Sequence, residues 1–313
     1  MSSAALIPVR LSRVESAAAE TCLFEFAALR NEPLPPASAG AHIDLHLPQG
    51  FIRQYSVLTP LSNFSSYVVA VKREPSGRGG SRCLHDLLAP GATLQVSAPR
   101  NHFPLNENAR DTLLLAGGIG ITPIFGMFER LRQLGRSVRL HYWSRSARHT
   151  LFGDRLAACA NVAIHVPIAG RETLINALSH VGSDCEIYCC GPARMLQEFG
   201  AATRDRPAER IHVERFSAVR EIPQGWDFTV FLAKSQREVH VRSGQTILEA
   251  LRDASVPLSY SCEEGVCGAC EVKYLEGTPV HRDSVRPATE HERLGTLMIC
   301  CAGCRSERLT VDL

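Results

Sequence analysis

The sequence predicts a multidomain chain of β and α/β class: an antiparallel β-barrel, a doubly wound parallel sheet, and a small C-terminal domain built around a cysteine loop. Three observations carry that expectation. The first hundred residues hold short runs in which apolar and polar positions alternate, separated by turn chemistry. From about residue 110 the rhythm changes to apolar runs alternating with helical patterns. Residues 261–270 then read SCEEGVCGAC, with Cys262, Cys267 and Cys270 in a C-x4-C-x2-C run.

At 313 residues the chain exceeds what one hydrophobic core usually holds. Hydrophobic residues make up 45% and charged residues 21%, a globular rather than a disordered composition. Net charge is only +2 and no lysine/arginine block stands out, so nucleic acid is not an expected partner. No apolar run approaches the ~20 residues of a membrane helix. The start, MSSAALIPVRLSRVES, lacks a sustained apolar stretch after a basic cluster, so no secretory signal is expected. These features point to a cytoplasmic protein with no membrane partner. Its twelve cysteines are then ligands or buried apolar residues rather than a disulfide framework.

The first domain is expected over residues 1–106. AHIDLHLP sets Ile43, Leu45 and Leu47 against His42, Asp44 and His46, a half-buried strand. FIRQYSVL, YVVAVKRE and ATLQVSAP are further strands, with Pro-Gly at 90–91 as a turn; this spacing suits a barrel. The second domain is expected over 107–218. LLLAG is a short buried strand, and ITPIFGMFERLRQLG reads as a helix stopped at Gly135. SVRLHYW, FGDRLAACA, AIHV, RETLINALS, EIYCCG, ARMLQEFGAATRD and IHVERF continue the alternation. That is the pattern of a parallel sheet with helices on both faces. SAVREIPQGW (217–226) has no periodicity and reads as a linker. The third domain is expected over 227–313. It opens with the hairpin FTVFLAKSQREVHVRSG, followed by a helix with Ile247, Leu248 and Leu251 on one face.

The cysteine loop allows two metal readings. Cys267/Cys270 and Cys301/Cys304 form two C-x2-C knuckles of the kind that bind zinc. That pairing spans a wide gap and leaves Cys262 without a role. The alternative is C-x4-C-x2-C plus one distant cysteine, the plant-type 2Fe–2S arrangement. Cys300, with 29 residues between it and Cys270, fits that pattern best. A loop carrying Gly265 and Gly268 can wrap closely around a cluster and aim N–H groups at its sulfurs. LGTLMIC reads as a buried strand delivering Cys300. If the strand continues, Cys301 points to the opposite face.

Two other stretches suggest ligands. AGGIGITP sits where a strand hands over to a helix. Gly117, Gly118 and Gly120 would let backbone approach a pyrophosphate, with Thr122 as cap and Pro123 in the first turn. The plain alternative is tight packing, since this is not the G-x-G-x-x-G form. Cys190-Gly191-Pro192 ends another strand, where open α/β sheets bind ligands. A hydride donor gives two electrons and a 2Fe–2S cluster takes one, so a flavin is the expected converter. Arg53-Gln54-Tyr55-Ser56 and GRGGS (77–81) lie in the β-rich domain; alone, they read as core and as a solvated turn.

Together these stretches resemble the phthalate dioxygenase reductase family, which includes vanillate demethylase reductases. Its members are flavin and iron–sulfur reductases that feed Rieske-type oxygenases. RQYSV resembles the family's R-x-Y-S flavin motif, and VKREPSGRGGS its flavin-phosphate segment. APRNHFPL, LLLAGGIGITPI, YCCGPARML, HVERF and SCEEGVCGAC resemble family segments in the same order. The resemblance spans nearly the whole chain. It implies an FMN barrel, a nicotinamide domain and a C-terminal β-grasp plant-type ferredoxin domain. Tyr55 would pack against the flavin ring, Arg53 and Ser56 would hold its polar edge or the phosphate end, and Gln54 would join the flavin site. Ala70, Val71, Lys72, Gly79, Gly80 and Ser81 would form the FMN phosphate segment. Gly117, Gly118, Ile119, Gly120, Thr122, Arg145, Cys190, Gly191 and Pro192 would flank the dinucleotide. Phe216 would lie by the flavin where the nicotinamide enters, with Ser56 and Cys190 as its catalytic neighbours. Cys262, Cys267, Cys270 and Cys300 would ligate the cluster.

Two departures matter. Ser146 follows Arg145 where an acidic residue would argue for NADH, and it removes that argument; NADH is still expected, with NADPH possible. CCAGC adds Cys301 and Cys304 beyond the expected fourth ligand. The expected activity is NAD(P)H-dependent electron transfer through FMN and 2Fe–2S to a Rieske-type oxygenase. Its rivals are a stand-alone diaphorase or quinone reductase and a non-enzymatic redox sensor.

Overall fold

The computed structural model describes residues 6–29, 32–58, 65–166, 173–179, 181–216 and 227–313. The expected linker, 217–226, lies outside the described residues. By compactness the chain divides into two units, Met1–Glu214 and Arg215–Leu313.

The first unit opens with β1 (Ile7–Ala18), β2 (Thr21–Ala28), β3 (His42–His46), β4 (Ile52–Ser56), β5 (Ser66–Lys72), helix α1 (Gly80–Leu87) and β6 (Thr93–Val96). The strands form one antiparallel sheet in the order β4-β3-β6-β1-β2-β5. A bridge between Val57 and Val69 joins the two ends, and Leu58 N–H donates to the Val68 carbonyl at 2.8 Å. The sheet is therefore closed, which removes exposed strand edges. Ile43, Leu45, Val69 and Val71 fill its interior, as the alternating pattern requires.

A parallel sheet follows: β7 (Asp111–Gly117), α2 (Ile121–Gln133), β8 (Ser137–Trp143), α3 (Gly153–Ala157), β9 (Val162–His165), α4 (Leu174–Ser179), β10 (Glu186–Cys190), α5 (Ala193–Ala202) and β11 (Ile211–Glu214). The order is β11-β10-β7-β8-β9 with all neighbours parallel. The chain order reverses between β7 and β10, and that is where a crevice opens in such sheets. Helix α2 ends at Gln133, with Leu134 as its C-cap and Gly135 in the left-handed conformation (φ +64°).

Barrel and sheet belong to one compact unit because they share a core. Ala70 of β5 packs with Phe103, Leu114, Ile121 and Phe125, and Ala17, Leu23 and Leu58 border the same cluster. The Tyr188 hydroxyl accepts from Asn106 N–H at 2.8 Å and donates to the Pro104 carbonyl at 3.3 Å, fastening the connecting segment to β10.

The second unit contains β12 (Phe228–Leu232), β13 (Arg237–Val241), α6 (Ile247–Asp253), β14 (Glu271–Glu276), β15 (Pro279–Val280), α7 (Ala288–Leu294), β16 (Thr296–Met298), β17 (Gly303–Cys304) and β18 (Arg308–Val311). Its mixed sheet runs β13-β12-β18-β14-β16, with α6 packed on it: the β-grasp arrangement. Helix α6 starts with a capping box. Glu249 N–H donates to the Thr246 hydroxyl at 3.1 Å, and Thr246 N–H donates to the Glu249 carboxylate at 2.9 Å. Ile247, Leu248 and Leu251 face the core as their spacing predicts.

Candidate functional site

Three of the four expected cluster ligands lie in the loop between α6 and β14, and the fourth follows β16. Cys262, Cys267, Cys270 and Cys300 are all buried. Val272 and Leu297 are paired on β14 and β16, and Ile299 N–H donates to the Cys270 carbonyl at 3.4 Å. This pairing brings Cys300 beside the loop. Backbone donors already aim at sulfur: Cys262 N–H reaches Cys267 Sγ at 3.4 Å and Glu264 N–H reaches Cys262 Sγ at 3.3 Å. Hydrogen bonds from Cys262, Cys270 and Cys301, with a further bond from the Gly265 N–H, hold the Cys300 thiol toward its thiolate form. Buried thiols converging under N–H donors fit an iron–sulfur cluster, whose ligands are thiolates. They do not fit two zinc knuckles, because Cys304 hydrogen-bonds Ser306 at 3.0 Å while Cys262 sits among the converging sulfurs.

Cys301 differs from its expected placement. The strand stops at Met298, and Cys301 and Ala302 N–H both turn back to the Met298 carbonyl at 3.1 and 2.9 Å. The face alternation of a strand therefore ends before Cys300. Cys301 Sγ faces the cluster loop instead: a Cβ on Gly265 would lie 2.6 Å from it.

In the barrel, Arg53, Gln54, Tyr55 and Ser56 occupy β4. Arg53 donates to the Arg78 carbonyl at 2.9 Å and its guanidinium lies 5.2 Å from the Phe51 ring centroid. Gly79 and Gly80 open α1 directly against this pair. A Cβ on Gly80 would strike the Arg53 stem, and one on Gly79 would lie 2.9 Å from Phe51 Cζ. The N-terminus of α1 thus starts against the Arg53 side chain, and helix N–H groups beside an arginine suit a phosphate. Ser81 accepts from Glu74 N–H at 3.0 Å, and that bond leaves its proton to donate. Ala70 and Val71 are buried in β5, and Lys72, at its end, pairs with Glu74 at 3.3 Å. Tyr55 is half-buried and its phenol is pushed up by burial, so it stays neutral and presents a ring rather than a charge.

Ser56 ends β4 beside the parallel sheet. The Thr122 hydroxyl lies 3.4 Å from the Ser56 hydroxyl and donates to the Ile119 carbonyl at 3.0 Å. It does not accept from a helix N–H, so the expected cap is replaced by a buried hydroxyl pair. At the sheet's switch point two glycine turns interlock. A Cβ on Gly120 would strike the Cys190 carbonyl oxygen, and one on Gly117 would lie 2.7 Å from Pro192 Cδ. Close packing is thus what Gly117, Gly120 and Gly191 serve. Gly118, with φ +55° and no heavy atom within 4 Å of its Cβ position, faces open space. Gly117 and Gly120 thus follow the tight-packing reading of AGGIGITP, Gly118 leaves room for a ligand's approach, and Ile119 lies between Gly118 and Gly120. Arg145 pairs with Glu20 at 3.1 Å and His149 at 2.6 Å, while Ser146 bonds His149 at 2.7 Å. Phe216 lies two residues beyond β11 and is 43% exposed.

One residue with a clear signature has no sequence signal. Glu214 ends β11 in register with Cys190. Its Oε2 is buried with no hydrogen-bond partner among the described residues, and burial pushes its carboxyl up to about 8. Cys190, also fully buried, is pushed well up by burial and by Glu214. Burial favours the neutral form of both, at the strand ends where open α/β sheets bind ligands.

A family model for a 2Fe–2S iron–sulfur cluster binding domain matches residues 230–305. The chain is 39% identical over 98% of its length to phenoxybenzoate dioxygenase subunit beta of Ectopseudomonas oleovorans, covering 97% of that protein. It is 42% identical over 91% of its length to tetrachlorobenzoquinone reductase of Sphingobium chlorophenolicum, covering 92% of it. The solved structure of phthalate dioxygenase reductase, described as modular for electron transfer from pyridine nucleotides to [2Fe–2S], matches with TM-score 0.74 and 34% identity over 98% of both chains. Matched in sequence and fold from end to end, the chain belongs to the phthalate dioxygenase reductase family of oxidoreductases.

Proposed function

We propose that the chain is the reductase of an oxygenase system, working as three modules over 1–106, 107–218 and 227–313. Electrons enter from NADH, FMN converts hydride to single electrons, and a 2Fe–2S cluster passes them on to the oxygenase. The observation that carries this reading is the end-to-end match to a reductase in a chain whose four family-matched cysteines are buried together. The residues' part is positioning and exclusion of water rather than acid–base chemistry. Arg53 and the α1 N-terminus would hold the FMN phosphate. Ser56 and Thr122 would present hydroxyls to the polar edge of the ring. Cys190 and Glu214, both neutral, would border the nicotinamide without opposing its positive charge on oxidation. Cys262, Cys267, Cys270 and Cys300 would hold the iron.

NADH is the favoured donor. Ser146 offers no carboxylate against a 2′-phosphate, but Glu20 supplies one, 3.1 Å from Arg145. The cation that a 2′-phosphate would need is already paired. The acceptor is a Rieske-type oxygenase component, and the setting is the cytoplasm. No disulfide joins any of the twelve cysteines, and no described helix is long and apolar enough to cross a membrane.

Identity to a quinone reductase supports a second reading, in which a quinone is the acceptor. The test is NADH oxidation by the holoprotein with purified terminal oxygenases and with substituted benzoquinones. Turnover with an oxygenase far above that with quinones supports the first reading. Turnover with quinones alone overturns it. Acid release of the flavin tests the cofactor: FMN is expected, and FAD at one per chain would refute it.

A further inference from the structure

A buried polar network lies behind the cluster loop. Asp283 and His291 have fully buried side chains, and His291 Nε2 lies 3.0 Å from Asp283 Oδ2. His291 Nδ1 lies 2.9 Å from the Thr296 hydroxyl, at the start of β16. A neutral imidazole with its proton on Nε2 satisfies both bonds. The other Asp283 oxygen accepts from Val285 and Arg286 N–H at 3.0 and 3.1 Å, which folds residues 283–286 into a turn. The turn is set against Gly265: Ser284 N–H donates to the Gly265 carbonyl at 2.8 Å, and a Cβ on Gly265 would lie 3.1 Å from Asp283 Cα. Gly265 is left-handed (φ +69°) and directly follows Glu264, whose N–H donates to the Cys262 sulfur at 3.3 Å. The Arg282 guanidinium donates to the Cys301 carbonyl at 3.2 Å.

His281 stacks on His291 at 4.6 Å and 7°, so the donor atoms of His281, Asp283 and His291 lie within 4.8 Å of one another. A metal ion is a poor occupant. It must lie near the plane of each imidazole that binds it, and two stacked, nearly parallel rings do not share a plane. Both Asp283 oxygens are also already engaged.

We propose that Asp283 and His291 are positioning residues for the cluster. They join β16, which delivers Cys300, to the turn that fixes the Gly265 peptide, and so hold the loop in which the Glu264 N–H donates to the Cys262 sulfur. Such N–H bonds stabilise the reduced cluster, so loosening this one lowers the reduction potential. The inference rests on the cluster assignment above. Two irons per chain and a reduced-cluster paramagnetic signal in the wild-type holoprotein test that assignment separately.

The experiment is an anaerobic redox titration of full-length holoprotein, following the paramagnetic signal. In Asp283→Ala, the reduced-to-oxidised ratio at the wild-type midpoint should fall about threefold to tenfold, up to ~59 mV for one electron. Asp283→Asn keeps an oxygen for the two N–H donors and should recover most of that shift. Flavin reduction by NADH should be unchanged in both. If Asp283→Ala holds no cluster, His291→Ala and His291→Gln decide in its place. The glutamine can span Asp283 and Thr296 and should keep the wild-type potential, while the alanine should lower it. Alanine variants with the wild-type potential and line shape would overturn the proposal. So would conservative variants shifted as far as the alanine ones.

Discussion

The two units assemble their chemistry in opposite ways. In the second, three of the four candidate ligands come from one nine-residue loop, and the fourth is drawn in by pairing of β14 with β16. In the first, Ser56, Thr122, Cys190 and Glu214 come from four separate elements, brought together by barrel closure and parallel register. The candidate cluster site is written in local spacing, whereas the candidate hydride site is written in topology. In the first unit burial also favours the neutral forms of Cys190 and Glu214, while the second unit's thiols must give up protons to bind iron. Damage should therefore spread differently. Losing a ligand should empty one site and spare the other, while disturbing the sheet's switch point should disable electron entry.

The largest effect is expected from Cys300→Ser. The cluster's visible absorption, iron and paramagnetic signal should be lost almost entirely, while flavin reduction by NADH stays at the wild-type rate. Cys304→Ser should keep the cluster, because Cys304 is engaged with Ser306. Any cluster remaining in Cys300→Ser should vanish in the Cys300→Ser/Cys301→Ser double variant, since Cys301 faces the loop. A cluster intact in Cys300→Ser alone would break the comparison.

Next comes the interlock of β7 and β10. An alanine at Gly120 must push its methyl against the backbone of Cys190 and Gly191, neither of which can rotate away. Gly120→Ala should cost about 1–3 kcal/mol in denaturant unfolding and weaken NADH binding, while leaving the iron content whole. Gly118→Ala, strained only by its left-handed backbone, should cost nearer ~1 kcal/mol. Equal costs would show that the turn is not interlocked.

A smaller change is expected from Glu214→Gln. The folded protein holds the Glu214 proton up to about pH 8, whereas the unfolded chain releases it near the ordinary carboxylate value. Wild-type stability relative to the variant should thus be highest at acid pH and fall as pH rises toward 8, by at most ~1.4 kcal/mol per unit. Denaturation of both proteins between pH 5 and 8 checks this; parallel curves would mean the carboxyl is not held neutral.

The smallest effect belongs to an exposed pair. Glu20→Gln should release Arg145 and raise kcat/KM for NADPH several-fold while changing NADH little. The affinity of 2′,5′-ADP should rise in parallel. An unchanged preference would remove Glu20 from nucleotide selection.

How far the sequence could be read follows the same division. The cysteine spacing and the core face of α6 are local patterns, and the fold realises them. LGTLMIC misled at its end, because nothing apolar marks the turn closed on the Met298 carbonyl that swings Cys301 toward the loop. Thr122 looks like a helix cap by position, yet its hydroxyl meets Ser56 on a strand of the barrel. Glu214 carries no motif at all. Its meaning comes from standing opposite Cys190 on the neighbouring strand, out of reach of any spacing rule. Asp283 and His291 are ordinary polar residues until burial joins them.

The central claim is that electrons reach the cluster only through the flavin. Its most direct test is anaerobic rapid mixing of NADH with protein stripped of flavin, and with the same protein refilled with FMN, following cluster absorbance. Cluster reduction is predicted only in the refilled protein. Reduction at the same rate in the flavin-free protein would contradict it.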